Sequence, residues 1–278
     1  MLKTNTLMSF QITLFFLAIL LFYVSGLTMK KSTNQFTDDI LVSDSFRVLG
    51  VCGGIGSGKS TACKLLVSDA SCLKHIDADS VAHSVYSPGS QLVQDVANVF
   101  GKTILLQSNN VGEQESDPPM EIDRKKLGEI VFSERSAMAK LEEIVWPRIR
   151  SLLIDEIGTL RQKWEAESKE LMSKNTRPIV ILEAAVLIDA GWDDLVDGIW
   201  VISAPRETAL SRLIETRGLT EEEAGKRIDA QESRRGITNI QDEIDANVIT
   251  CEVNNDGSLD DLIKSLKVSL NEPKCWKR

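Results

Sequence analysis

The chain has 278 residues, 42% of them hydrophobic and 26% charged, and a formal net charge of −9. That is ordinary globular material for one large α/β domain or two small ones. The acidic balance argues against a surface built to hold nucleic acid non-specifically, because such binding is driven by clustered Lys and Arg.

At the amino end, residues 7–27 carry no charge, and their dense apolar core, 12–24, follows a weakly positive start with Lys3. Val24, Ser25 and Gly26 offer small residues for cleavage. Residues 1–28 are therefore expected to be a targeting or anchoring segment, either a signal or a membrane anchor at an ER or organellar membrane. A start at Met29 would remove it and leave a cytoplasmic enzyme. Residues 29–45 are polar and aperiodic and read as a linker, 46–271 as the folded domain, and 272–278 as a tail.

Residues 46–52 read as a short buried strand, and 61–67 open an apolar helical pattern. Between them, Gly53-Gly54-Ile55-Gly56-Ser57-Gly58-Lys59-Ser60-Thr61 fits the phosphate-loop spacing of Gly, four residues, then Gly-Lys-Ser/Thr. Glycines let successive backbone N–H groups curl around an anion, and the following helix points its positive end at the same place. Lys59 is then expected to reach the β- and γ-phosphates of a nucleotide, and Ser60 to enter a Mg²⁺ shell.

A second strand, 73–76, is expected to end at Asp77-Ala78-Asp79, followed by helices over 80–86 and 89–100 that Gly101 stops. Residues 108–120 read as a solvated loop. Asp123 can cap a helix to 132 and Ser133 the next, which Pro147 should kink or restart before an amphipathic run to about 173. Residues 179–183 and 198–202 are continuous apolar runs, as parallel strands covered on both faces require. Pro205 opens another helix, Thr220 and Glu223 give a capping signal for one to 234, 246–250 supplies a last strand, and 258–270 a closing helix. The order predicts a P-loop NTPase-type α/β fold: a doubly wound parallel sheet, a helical insertion between the second and third strands, and a helical lid.

Candidates for chemistry gather around that loop. Asp77 and Asp79 would share a cleft if the extended conformation persists to Asp79; if the helix begins at once, only one will. One such carboxylate suits acceptance of a proton from an incoming hydroxyl, and the bland alternative is a helix cap. Glu183 ends an apolar strand, where an acid can help hold Mg²⁺. Residues 206–235, including Arg212, Arg217 and Arg227, fit a closing lid that brings cations to a transferring phosphoryl group, or equally an exposed helix pair of mixed charge. The five cysteines, 52, 63, 72, 251 and 275, form no Cys-x-x-Cys pair and only His75 and His83 accompany them, so the usual zinc spacings are absent and the thiols read as reduced core residues.

Taken together, residues 53–61, Ile76-Asp77-Ala78-Asp79 with Ala82-His83 and Pro88-Gly89, Phe100-Gly101, residues 122–127, Val131-Phe132, Trp146-Pro147 and Ala230-Gln231 resemble the dephospho-CoA kinases. Residues 184–192 are closest to the kinase half of eukaryotic bifunctional CoA synthases, and the resemblance spans about 46–270. It implies transfer of the ATP γ-phosphoryl, with Mg²⁺, to the 3′-hydroxyl of the dephospho-CoA ribose. It also implies Asp79 as base, Lys59 and Ser60 as phosphate and Mg²⁺ contacts, and an acceptor region in the inserted helices that contains Arg124. Asp77, His83 and Gln231 are the other substrate-side candidates. No adenylyltransferase-like half precedes the loop; if that activity belongs here, it is on another chain, a separate phosphopantetheine adenylyltransferase.

Three departures stand out. Glu183 takes the place of a family Asp, and Asp189 that of a family Glu. Thr216 occupies the lid position where the family has Arg, so Arg217 serves only if the backbone shifts, and otherwise Arg212 must. Extra residues, 251–253, precede Asn254-Asn255-Asp256-Gly257. The competing readings are another P-loop small-molecule or nucleotide kinase, and a membrane-tethered nucleotide-binding module without turnover. A GTP switch is disfavoured because no Asn/Thr-Lys-x-Asp signal appears before the final helix.

Overall fold

A computed structural model describes residues 46–68, 72–106, 120–167, 177–235, 244 and 248–277. The expected anchor and linker (1–45), and most of the loop expected at 108–120, lie outside the described residues. The described chain divides into a sheet unit, 46–78 with 153–277, and a helical unit, 79–152.

The sheet unit holds β1 (Arg47–Gly53), β2 (Cys72–Asp77), β3 (Ile179–Glu183), β4 (Gly198–Ser203) and β5 (Cys251–Asn254) in the order β2-β3-β1-β4-β5. Every pairing is parallel. Both faces are covered, so the central strands are apolar at successive positions: Val48, Leu49, Val51 and Cys52 on β1 and Val180, Ile181 and Leu182 on β3 are fully buried. On one face Leu49, Val51, Ile181, Trp200 and Ile202 pack against α1 (Lys59–Val67) and the closing helix, through Ala62, Cys63, Leu66, Leu262 and Leu266. Cys275 and Trp276 join this core, and the Lys277 N–H donates to the Asp197 carbonyl, so the sheet unit extends past residue 271.

Of the last strand expected at 246–250, residues 246 and 247 lie outside the described residues, 248–250 are not in a strand, and β5 begins at Cys251. The reason is one side chain. The Thr250 N–H donates to the Ile199 carbonyl at 2.9 Å, but the Ile199 N–H donates to the Thr250 hydroxyl, which itself donates to the Cys275 carbonyl at 2.8 Å, so a side chain takes the place of one ladder bond. Regular pairing starts one residue on, with Cys251 opposite Trp200.

In the helical unit, α2 (Ala78–Val85) begins directly after β2, two residues before the expected start. Ser90 caps α3 (Gln91–Phe100), which Gly101 ends at φ 86°. Asp123 caps α4 (Arg124–Ser133), accepting from the Lys125 and Lys126 N–H groups at 3.1 and 3.2 Å. The next helix, α5 (Arg135–Glu167), belongs to the sheet unit from residue 153 on and overturns the expectation of its cap. Ser133 does not cap it, because its hydroxyl donates back to the Ile130 carbonyl within α4, and Glu134 makes the break. Pro147 does not restart it; one helix runs through the proline from Arg135 to Glu167. A lost bond and ring clash cost about 3 kcal/mol, while each of the buried Leu141, Val145, Ile149, Leu153 and Ile157 contributes roughly 1.5–3 kcal/mol. Burial outweighs the defect.

The lid consists of α6 (Arg206–Arg217) and α7 (Glu221–Arg235). Ala209, Leu213, Leu219, Ala224 and Ile228 form a small core of their own between them. Thr220 and Glu223 exchange capping bonds at the start of α7, as read from sequence. A capping box at Ser258 and Asp261 opens α8 (Leu259–Asn271).

Candidate functional site

The turn between β1 and α1 has the shape its glycines demand. At Gly58, φ is 88° and an added Cβ would collide with the Asn255 amide; at Gly56, φ is 76° and a Cβ would lie 2.7 Å from the Ala209 carbonyl oxygen. Side chains cannot be accommodated where the lid and the β5–α8 turn approach the loop. Asn255 donates to the Ser57 carbonyl at 2.8 Å, and its own N–H donates to Ser203 at 2.7 Å. The loop is thereby fastened to the end of β4.

Under the loop, Glu183 at the end of β3 gathers three donors. Its Oε1 accepts from Lys59 Nζ at 2.5 Å and Ser60 Oγ at 2.8 Å, and its Oε2 lies 3.0 Å from His75 Nε2. An ionised carboxylate only accepts, so His75 donates from Nε2. Glu183 is 5% exposed. Burial alone would raise its pKa, but the His75 hydrogen bond, the Lys59 charge and the Ser60 hydroxyl together hold it well below the usual carboxylate range. Cys63, one helical turn past Ser60, sits in the same pocket, and burial followed by the Glu183 charge pushes its thiol far up. Asp77 pairs in register with Glu183 across β2 and β3, and shares a face of β2 with His75.

The lid supplies two further contacts. Gln231, on α7, accepts the Ile55 N–H at 2.5 Å, so that amide is engaged within the protein. Arg212, on α6, donates to the Ser57 carbonyl at 3.3 Å and the Asn255 carbonyl at 3.0 Å. Helix α6 stays regular to its end: Thr216 Oγ1 donates to the Arg212 carbonyl at 2.5 Å, and the Gly218 N–H to Ile214 at 3.0 Å. The local shift that Arg217 would need is not there. Arg217 is exposed, with Arg227 near it, and Arg212 makes the loop contact.

In the helical unit, Asp79 lies exposed in the first turn of α2, where the helix dipole favours an acid. Since the helix begins at Ala78, the strand alternation that would have aimed Asp77 and Asp79 alike stops at Asp77. Arg124 donates to His83 Nδ1 at 3.2 Å and lies 5.7 Å from the centre of the Tyr86 ring. A guanidinium cannot accept, so His83 presents a bare Nδ1. Tyr86 is buried, and burial raises its phenol above the ordinary range despite Arg124.

A family model described as dephospho-CoA kinase matches residues 47–259. The chain belongs to the dephospho-CoA kinase family. A dephospho-CoA kinase of Arabidopsis thaliana is 34% identical over 236 residues, 83% of this chain and 86% of that one. The Geobacter sulfurreducens dephospho-CoA kinase is 35% identical over 184 residues, 66% of this chain and 81% of its relative. Among solved structures, TT1252 from Thermus thermophilus superposes with a TM-score of 0.56 at 26% identity, covering 83% of this chain and 99% of that one.

For a member of the dephospho-CoA kinase family, sequence reading picked out the loop, Glu183 and Arg212, and it missed His75, Cys63 and the role of Asn255. His75 and Glu183 are 108 positions apart and meet only through strand pairing, which no spacing pattern displays. Asn255 stood in a polar turn, and only the left-handed Gly58 facing it reveals its part.

Proposed function

We propose that this chain transfers the γ-phosphoryl group of ATP to the 3′-hydroxyl of the ribose of dephospho-CoA, giving coenzyme A and ADP, the final step of coenzyme A synthesis. The observation that carries this is the convergence of Lys59, Ser60 and Glu183 beneath a glycine-shaped loop, in a chain of this family.

The loop fits a triphosphate. The Ser57 hydroxyl is buried and has no hydrogen-bond partner among the described residues, which makes it a donor for a phosphate oxygen. Gly53, Gly54, Ile55, Gly56, Gly58 and Thr61 complete the cradle. Ser60 and Glu183 offer the oxygen donors that Mg²⁺ takes, and the chemistry such an ion supplies is neutralisation of charge on the phosphate oxygens. Lys59 exchanges the Glu183 carboxylate for the β- and γ-phosphates, an exchange between two anions that keeps its charge satisfied throughout. Arg212 adds a second cation beside the loop, and Gln231 fixes the loop by holding Ile55.

Asp79 is the base that accepts the proton of the attacking hydroxyl. Its support is the family resemblance and its position two residues past Asp77, at the carboxyl end of β2. His83 and Arg124 hold the acceptor's anionic groups, with Asp77 positioning the ribose. Among the described residues no helix is long and apolar enough to cross a membrane. Residues 1–28 keep their reading as a targeting or anchoring segment on sequence grounds alone, and fluorescent fusions with and without them test it. A separate adenylyltransferase would supply the substrate.

The function is tested by presenting the protein, ATP and Mg²⁺ with a panel of alcohols: dephospho-CoA, nucleosides, shikimate and sugars. Consumption of dephospho-CoA alone is expected. Preference for another acceptor would move the chain to a different substrate within the same fold.

A further inference from the structure

Cys63 on α1, His75 on β2 and Glu183 on β3 bring a sulfur, an imidazole nitrogen and a carboxylate oxygen within 4.8 Å of one another. Cys63 and Glu183 are buried, whereas the His75 side chain is 27% exposed and leaves one edge of the cluster open. His75 Nε2 and Glu183 Oε2 are 3.0 Å apart. A tetrahedral ion bound to nitrogen and oxygen at about 2.0–2.1 Å sets those atoms about 3.4 Å apart, so the pair opens only slightly to admit one. Thiolate, imidazole and carboxylate together are a zinc-type donor set; magnesium takes oxygen alone.

We propose that Cys63 Sγ, His75 Nε2 and Glu183 Oε2 form a binding site for a thiophilic divalent cation of the zinc class, and that an ion there inhibits the enzyme. On binding, the Cys63 thiol releases its proton to solvent, the His75 proton moves to Nδ1, and the ion takes the freed lone pairs. No electron is transferred. Glu183 is then fixed to Cys63 and His75 and withdrawn from the Mg²⁺ place that it shares with Ser60. The binding stands on the geometry alone; the inhibition rests on the kinase reading.

Cobalt(II) is the probe for the full-length protein, because a thiolate ligand gives it a near-ultraviolet charge-transfer band that zinc then abolishes. The wild type is expected to show this band at a single equivalent, and Cys251→Ser to retain it. Cys63→Ala should lose it, and His75→Val should weaken cobalt binding at least about tenfold. At buffered free zinc, wild-type turnover should drop at least about tenfold while Cys63→Ala, active without zinc, is spared. A missing wild-type band, or one that survives in Cys63→Ala, overturns the site. If Cys63→Ala fails to fold by thermal melting, unchanged cobalt affinity in His75→Val does so instead. Cobalt binding with undiminished turnover overturns the inhibitory role, and a zinc-free wild type that ignores dephospho-CoA marks failure of the kinase reading rather than of the site.

Discussion

The two units place their key cations in different settings. In the sheet unit Lys59 lies against a buried carboxylate, and a second carboxylate neighbour, Asp77, stands across the strand pair. In the helical unit Arg124 is held by an imidazole nitrogen and lies beside a buried aromatic ring, with Glu121 adding attraction. The first setting is built for exchange: one anion can replace another without leaving the ammonium bare. The second is built for position, since a stacked and hydrogen-bonded guanidinium has its orientation fixed by packing.

Lys59→Met should break this contrast most visibly. Removing the exchangeable charge is expected to lower kcat/KM by about 10³, measured with dephospho-CoA varied at saturating ATP. Asp79→Asn should lower kcat by about 10² while the ATP dissociation constant, read by titration calorimetry, stays put. A collapse of ATP binding with normal turnover per bound complex would show that Asp79 is not the base. Arg124→Gln should act on the other side of the contrast, raising KM for dephospho-CoA about tenfold with kcat little changed. An equal fall in kcat would place Arg124 in the transition state instead.

The lid arginines sharpen the comparison at smaller scale. Arg212→Ala removes the bonds to the Ser57 and Asn255 carbonyls and should cost about 1–3 kcal/mol of stability, seen in denaturant midpoints, with a further loss of rate. Arg217→Ala should stay within about 0.5 kcal/mol, as exposed substitutions do. The smallest effect is acid-dependent. The folded state depresses the Glu183 pKa, so its contribution is complete above the unfolded value of about 4.3 and fades as pH falls through the lowered one. The stability gap between wild type and Glu183→Gln should therefore narrow from pH 5 downward; a widening gap would contradict the ion-pair account.

How far the sequence foretold this depends on whether the controlling interactions are local. The phosphate loop, the Asp123 and Thr220 caps and the Gly101 stop depend on residues within a turn of each other, and each was legible. Strand runs 179–183 and 198–202 were legible because burial on both faces leaves continuous apolar segments. At Pro147 no restart occurs, because the proline's penalty is local while the five buried side chains that offset it depend on packing. Regular pairing of the last strand waits until Cys251 because the Thr250 hydroxyl reaches Ile199, 51 positions away. Still longer separations in sequence hid His75 and Cys63 from the Glu183 pocket.

The most direct test is to react full-length protein with ATP and dephospho-CoA and locate the new phosphate on the product by phosphorus NMR. A monoester on the ribose 3′ oxygen, formed in equal amount with ADP, is the predicted result. A phosphate elsewhere on the molecule, or ADP released with dephospho-CoA untouched, would contradict it.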